Sequence, residues 1–146
     1  MKIEIDIDEK YTDIGVKVTA PDLTPDIERI VSLMRMMDMQ IVVKRDDETI
    51  LLDADKILYI EAVERTTFVY TKENTYESAL KLYEFEQQLP ERDFIRISKQ
   101  SILNLRKVKS LKADINRKIR VTLLNGEQII VSRMYADDLR KKLGIK

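Results

Sequence analysis

The sequence predicts a mostly β protein with short helices, which is the α+β fold class. Beyond residue 40, short segments that alternate polar with β-branched or aromatic residues follow one another, with polar turns between them. Three other stretches space their apolar residues as one face of a helix does. The 146 residues include three glycines and three prolines and are 44% hydrophobic, which is typical of one folded domain with a small appendage.

The first 40 residues predict a small ββα unit. Residues 2–7 alternate with period two and residues 14–18 repeat the pattern after a polar turn, so both predict strands. Thr24 and Pro25 are typical of a helix N-cap and first helical position. The helix face that follows is expected to pack on the rest of the chain or on a second copy: Ile27, Ile30, Val31, Met34 and Met37. The methionines of this segment fit either core packing or a partner surface.

Residues 41–146 predict a larger domain that is rich in strands. β-branched and aromatic residues lie between polar turns throughout its first half. The strands predicted there are residues 41–44, 49–53, 57–62, 67–71, 75–78 and 94–98.

Two helices are predicted among these strands. One covers residues 82–89, where apolar residues lie on one face, and Pro90 ends it. Ser78 or a neighbour is expected to cap this helix. Residues 101–108 predict a second, short helix.

A hairpin and a last helix end the chain. Residues 119–123 and 129–131 alternate as paired strands do, and Asn125-Gly126 supplies the positive φ angles of a tight turn. Ser132 is expected to cap the last helix and Gly144 to end it.

The composition argues against an enzyme, a metal site and a bound cofactor. Without cysteine or histidine, the chain has no thiolate or imidazole for catalysis or metal binding, and three glycines provide no phosphate-binding loop. The remaining acid–base candidates are interpreted as turn or helix-start residues: Asp46, Asp47, Glu48, Asp53, Asp55, Asp137 and Asp138. The sequence shows no signal peptide and no apolar run long enough for a membrane span, so a cytoplasmic location is expected.

The net charge of zero conceals two halves of opposite charge. Residues 1–93 carry 22 acids and 12 bases, whereas residues 94–146 carry 4 acids and 14 bases. A basic half of this kind is typical of a surface that binds a polyanion. The alternative is that the opposite charges pair within the fold.

Four motifs in order resemble the LytTR DNA-binding domain. They are residues 57–62 (ILYIEA), 94–104 (FIRISKQSILN), 123–126 (LLNG) and 131–135 (VSRMY). The resemblance extends from about residue 41 to the C-terminus and implies a bacterial transcription factor with a mostly β fold. About 40 residues precede it, too few for a receiver domain, so we expect a regulator like the stand-alone LytTR proteins of Gram-positive bacteria, without a phosphorelay.

The resemblance implies that strand-connecting loops and a helix start enter successive major grooves of double-stranded DNA. Three segments would contact bases: the turn at residues 64–67, the loop at residues 98–100 and the start of the last helix. The expected base contacts are Thr66, Thr67, Ser98, Lys99, Gln100, Arg133 and Met134. Ser98, Gln100 and Met134 differ from residues common in the family, so the target sequence is not transferred from relatives. The asparagine of the second motif, Asn104, is interpreted as structural.

Among these residues Arg133 is the strongest base-reading candidate, because its planar fork matches the O6 and N7 acceptors of guanine. Basic residues on predicted loops and strand ends are expected to contact phosphates: Arg65, Arg96, Lys107, Lys109 and Arg117.

The predicted function is therefore sequence-specific DNA binding in transcription regulation, with the first 40 residues serving dimerisation or control. A homodimer on direct repeats in a promoter is expected, and kinship with the family suggests a small membrane protein as regulator. The main alternative is a protein-interaction module whose basic half binds an acidic or membrane-tethered partner. RNA binding is less favoured, because few of the nine tyrosine and phenylalanine residues lie outside apolar patterns.

Overall fold

A seven-stranded antiparallel sheet forms the middle layer of the protein in a computed structural model, which describes residues 1–145. Its strands lie in the spatial order β2-β1-β5-β4-β3-β7-β6. Their bounds are β1 (Gln40–Arg45), β2 (Glu48–Asp53), β3 (Ile57–Val63), β4 (Thr66–Thr71), β5 (Thr75–Ser78), β6 (Phe94–Ser98) and β7 (Ser101–Asn104).

Two helices cover one face of this sheet, and a second, three-stranded sheet with a third helix covers the other. The helices on the first face are α1 (Pro25–Met36) and α2 (Leu82–Gln88). The opposite layer, in the order β10-β9-β8, contains β8 (Val108–Ala113), β9 (Ile119–Leu123), β10 (Gln128–Val131) and α3 (Arg133–Leu143). The prediction of a mostly β fold with short helices is confirmed.

The two cores follow from the alternation of side chains along the central strands. Ile60 and Ile102 pack with α1 and α2, whereas their neighbours Tyr59 and Leu103 pack with the small sheet and α3. Successive side chains of a strand point to opposite faces, so a continuous apolar run can fill both cores. The hairpin forms, but its turn covers residues 124–127, and only Gly126, at φ 88°, has a positive φ angle, whereas Asn125 does not.

The two strands predicted before α1 do not form. Residues 1–24 contain no strand and lie exposed, with Ile3 at 78% and Ile7 at 90% relative exposure. A pair of strands needs a further strand or an apolar layer for stability, and these side chains contact neither core. The prediction of a ββα unit is therefore wrong for its strands.

The helix of that unit does form. Thr24 is its N-cap and accepts a hydrogen bond from the Ile27 amide, and Pro25 is its first residue. A different face packs on the sheet from the one that its apolar spacing indicates. Ser32 and Met36 are buried, whereas Met37 is 80% exposed.

A tight connection to β1 and an ion pair with α2 explain how α1 is oriented. The chain turns back into β1 directly after α1, with Met39 at φ 60°, so the connection constrains which face meets the sheet. In addition, Arg29 of α1 forms an ion pair with the buried Glu84 of α2, with 2.8 Å between the guanidinium and carboxylate. Because α1 carries apolar residues around most of its circumference, spacing alone did not identify the buried face.

Residues 101–108 form β7, a single 3-10 turn (Leu105–Lys107) and the first residue of β8 rather than the predicted helix. A strand lets Ile102 and Leu103 enter different cores, which one helix face would not allow. At the end of β7, the Asn104 amide donates to the Ile57 carbonyl at 2.8 Å and its oxygen accepts from the Arg106 amide at 3.0 Å. Asn104 thus has the structural place expected for it.

The cap of α2 also differs from expectation. Lys81 occupies the N-cap position, and its amide donates to the Glu84 carboxylate at 3.0 Å. Ser78 instead accepts a hydrogen bond from the Leu80 amide.

Within residues 1–145, no helix is both long and apolar enough to span a membrane.

Candidate nucleic-acid interface

The turns that join β3 to β4 and β6 to β7 lie side by side at one end of the large sheet. Glu61 near the end of β3 pairs with Ser101 at the start of β7. One residue further along β3, the Ala62 amide donates to the Gln100 carbonyl at 2.8 Å. Two of the three predicted DNA-contacting segments are therefore adjacent.

The start of α3 is joined to the same place by the backbone. Ser132 is the N-cap of α3, and its amide donates to the Ile97 carbonyl at 2.8 Å. The Ser132 side chain makes no capping hydrogen bond, contrary to expectation. Arg133 and Met134 follow immediately and are exposed, Met134 to 70%. All three predicted segments thus meet at one end of the sheet.

A shallow groove of about 430 Å³ opens between the β6–β7 turn, the β8–β9 loop and the start of α3. We call it the basic groove, because Lys99, Lys118 and Arg133 line it and no carboxylate does. In the part of the chain that the structure describes, none of these three cations forms an ion pair. The lining residues are Ser98, Lys99, Gln100, Asn116, Lys118, Ser132, Arg133, Met134 and Tyr135. Such a surface offers hydrogen-bond donors and positive charge to an anion.

The predicted base-contacting residues differ in their exposure. Lys99, Gln100 and Arg133 are exposed with Met134, and Ser98 and Thr66 are half-buried. Thr67 is only 4% exposed, because β4 lies between β3 and β5 and this residue pairs with both. It cannot reach a base while the sheet is intact, so that assignment is corrected.

The predicted phosphate contacts also separate into two groups. Arg65, Lys109 and Arg117 are exposed. Lys107 is half-buried and lies at the opposite end of the sheet, where its carbonyl accepts from the Leu124 amide, so the structure does not bring it to the basic groove. Arg96 is different, because its guanidinium donates to the carbonyls of Ser98 and Lys99 and pairs with Glu86. A group with these partners is not free for a phosphate, which corrects the prediction for Arg96.

Two residues of the groove, Asn116 and Lys118, lie outside the four motifs and were not among the expected DNA contacts. The loop before β9 turns sharply here, with Asn116 at φ 56° and Arg117 at φ 64°. Asparagine tolerates this left-handed conformation better than most residues. An asparagine before two cations between predicted strands was the signal available in the sequence.

An acidic residue anchors this loop. Asp114 accepts a hydrogen bond from the Ile115 amide at 2.8 Å and pairs with Arg120 at 3.0 Å. The backbone hydrogen bond, followed by the contact with Arg120, lowers the pKa of Asp114. Its charge is therefore engaged with β9 and the loop rather than directed at the groove.

Comparisons with known proteins agree with this geometry. A family model of the LytTr DNA-binding domain matches residues 47–144. The chain is 26% identical over 147 positions to uncharacterized HTH-type transcriptional regulators of Staphylococcus aureus strains MSSA476 and NCTC 8325, covering 99% of each chain. Its fold is similar to a LytTr DNA-binding domain from Bacillus cereus, with a TM-score of 0.71, 33% identity, and coverage of 73% of this chain and 98% of that one.

The family match covers well over half of the chain and includes the β3–β4 turn, the β6–β7 turn and the start of α3. These are the segments that the fold brings together. The chain therefore belongs to the LytTR family of DNA-binding domains.

Proposed function

We propose that this protein is a cytoplasmic transcriptional regulator that binds specific sequences of double-stranded DNA through the basic groove and the neighbouring β3–β4 turn. The observation that supports this proposal most directly is the basic groove, which combines three cations without ion pairs from three separate segments. Membership in a DNA-binding family and the similarity to proteins named as transcriptional regulators support the proposal.

The mode of recognition follows from which elements protrude. The relatives are named HTH-type, yet no two helices within residues 1–145 are joined by the short turn of a helix-turn-helix, because strands separate α1, α2 and α3. A major groove is wide enough for a two-stranded ribbon. The β6–β7 turn and the start of α3 would enter one groove, and the β3–β4 turn would reach towards the next.

Lys99, Gln100 and Arg133 are the proposed base readers. Arg133 would bind guanine with both arms of its fork, and Gln100 would pair with adenine N6 and N7. Lys118 and Arg65 would bind phosphates, which adds affinity for every duplex.

Dimerisation through the first 40 residues is the second part of the proposal. Ile3, Ile7 and Met37 are among the exposed apolar side chains of this segment, and a second copy would bury them. Two copies on direct repeats would multiply affinity through effective concentration.

The test is to select binding sequences from a random duplex pool and to titrate a selected and a scrambled duplex at two salt concentrations. We expect the selected duplex to bind at least about tenfold more tightly at both salt concentrations. Equal and steeply salt-dependent binding to both would contradict the proposal. That result would favour a module for an acidic protein partner.

Two variants separate base reading from phosphate binding. Arg133→Ala should weaken binding to the selected duplex by about 1 to 3 kcal/mol and lower sequence preference. As the control, Arg65→Ala in the β3–β4 turn should weaken all duplexes alike and reduce the salt slope by about one unit. An equal loss on both duplexes for Arg133→Ala would remove it from the base readers.

A further inference from the structure

The backbone of the β6–β7 turn is hydrogen-bonded at four consecutive carbonyls. The Ile97 and Gln100 carbonyls accept from the backbone amides of α3 and β3 described above. The two carbonyls between them, of Ser98 and Lys99, accept from the side chain of Arg96, at 2.9 Å from Nε and 3.0 Å from Nη2. One side chain therefore bonds two consecutive carbonyls, that of Ser98 at the end of β6 and that of Lys99 in the turn.

The position of Arg96 is itself determined by two features. β6 is irregular between Arg96 and Ser98, and the Arg96 guanidinium contacts the two carbonyls that follow this irregularity. On the other side, Nη1 of Arg96 pairs with the carboxylate of Glu86 on α2. The planar fork of arginine can serve three acceptors in fixed directions, which an ammonium group on a flexible stem does not reproduce.

We infer that Arg96 is a positioning residue for the DNA-reading turn and that Glu86 orients it. This inference rests on the proposed function. Arg96 holds Lys99 and Gln100 in one conformation before DNA arrives, so their ordering does not reduce the binding free energy.

A purely electrostatic role of Glu86 and an orienting role predict opposite effects of its removal on DNA binding. If electrostatics were its only contribution, the removal of this carboxylate would strengthen binding to every duplex. If Glu86 orients Arg96, the same change loosens the turn and weakens the preferred duplex most. Glu86→Gln therefore distinguishes the two roles.

The experiment compares Arg96→Lys, Arg96→Ala and Glu86→Gln with two controls in the full-length protein. Arg140→Ala removes a guanidinium of similar exposure that pairs with Asp137 and bonds no turn carbonyl. Glu28→Gln removes a carboxylate that pairs with Lys44 of β1, five strands away from β6 in the sheet order. Dissociation constants for the selected and scrambled duplexes are measured over a range of salt concentrations.

We expect all three test variants to lower the ratio of selected to scrambled affinity by about tenfold. For Arg96→Ala the salt slope should stay close to that of the wild type, because no phosphate contact is lost. The two controls should leave the ratio unchanged. An unchanged ratio with a salt slope lower by about one for Arg96→Ala, or tighter binding to both duplexes for Glu86→Gln, would overturn the inference.

Amide hydrogen exchange without DNA tests the same inference independently of sequence-specific binding. The Ala62, Gln100 and Ser132 amides form the hydrogen bonds that border the turn. They should exchange at least about tenfold faster in Arg96→Lys and Glu86→Gln, while core amides such as Ile60 keep the wild-type rate and show that the fold persists. Unchanged exchange at the turn would refute the positioning role. Absence of sequence preference in the wild type would instead refute the proposed function.

Discussion

At the scale of single residues, the basic groove shows how a loop without regular structure contributes to an interface. Lys118 reaches the groove because the chain reverses at Asn116 and Arg117, both in the left-handed region. The hydrogen bond and ion pair of Asp114 hold the ends of this loop. Lys118 is thus presented beside Arg133 without a partner of its own in residues 1–145.

We predict that Lys118→Ala weakens binding to all duplexes by about threefold to tenfold and lowers the salt slope by about one unit. The physical reason is the loss of one phosphate contact with its released counterion. Lys56→Ala is the matched control, because Lys56 is exposed where β3 begins, at the opposite end of the sheet. Fluorescence titrations at several salt concentrations measure both variants, and equal effects from the two would place Lys118 outside the interface.

Asn104 shows how one buried amide joins two strands to a turn. It is 1% exposed and bonds the Ile57 carbonyl and the Arg106 amide. Truncation would remove the donor to the carbonyl of the buried Ile57 and the acceptor of the partly buried Arg106 amide, and a buried polar group that loses its partner costs more than the hydrogen bond itself contributes.

We therefore predict that Asn104→Ala lowers the free energy of unfolding by about 2 to 4 kcal/mol. Gln87→Ala removes an exposed amide from α2 and should change it by less than about 0.5 kcal/mol. Urea denaturation measures both. A similar small effect for the two variants would show that Asn104 is not a structural amide.

At the scale of elements, the N-terminal segment shows that a strand-like alternation of residues is not sufficient to form a strand. Residues 2–7 alternate as perfectly as those of any strand in the protein, yet they form none. A strand exists only where a neighbour accepts its hydrogen bonds and an apolar layer covers one face. Residues 1–20 contribute to neither core.

Deletion of residues 2–20 should therefore leave the unfolding free energy of the monomer within about 0.5 kcal/mol of the wild type. If this segment mediates dimers, the deletion should also remove the dependence of the melting temperature on protein concentration. Analytical ultracentrifugation and thermal denaturation at several concentrations measure both effects. A loss of monomer stability larger than about 1 kcal/mol would mean that the segment packs on the domain.

Most strands of the protein could be predicted from the sequence, whereas one segment was assigned to the wrong element. Strands β1 to β6 and the β9–β10 hairpin were predictable, because Val, Ile, Thr and aromatic residues recur between turn signals. The helix predicted at residues 101–108 was wrong, because the apolar pair of Ile102 and Leu103 fits a helix or a strand buried on both faces equally well. Only the neighbours β3 and β6 decide between them.

For the candidate site, sequence motifs located the three segments but not the state of each side chain. Thr67 and Arg96 lie in the predicted segments or beside them, and their availability depends on neighbours that are distant in sequence. Lys118 was not singled out as a contact, because it lies outside the motifs and becomes a groove residue only through the β8–β9 loop.

At the scale of the whole molecule, the two oppositely charged halves do not neutralise each other. Across residues 1–145, Arg96 and Glu86 form the one ion pair that joins a residue before position 94 to one after it. The other pairs lie within one half. Most cations of residues 94–145 are therefore not paired with the acidic half and are left for an external polyanion.

A hydrogen bond links the large sheet to the small one and makes stability depend on alkaline pH. The Tyr59 hydroxyl of β3 donates to Glu127 in the β9–β10 turn at 2.6 Å. Burial, and then this hydrogen bond, raise the pKa of Tyr59 above its ordinary value of 10.0. Because the unfolded chain releases this proton first, the stabilisation is complete below about pH 10 and decreases at higher pH.

We predict that the unfolding free energy of the wild type falls more steeply above about pH 10 than that of Tyr59→Phe, which has no proton to release. Tyr83→Phe, which alters an exposed tyrosine of α2, should follow the wild type. Urea titrations between about pH 7 and pH 11 measure the slopes. Parallel curves for wild type and Tyr59→Phe would show that Tyr59 carries no such linkage.

The contact between α1 and α2 connects the N-terminal helix to the helix that carries Glu86. Arg29 binds Glu84, and two residues further along α2 Glu86 binds the arginine that orders the reading turn. If the departure of α1 also displaces Glu86, an effector that binds α1 only when it leaves α2 would loosen this turn and weaken DNA binding. Since such coupling is reciprocal, occupied DNA would expel that effector by the same factor. DNA binding would then weaken effector binding to α1 by the same factor by which the effector weakens DNA binding.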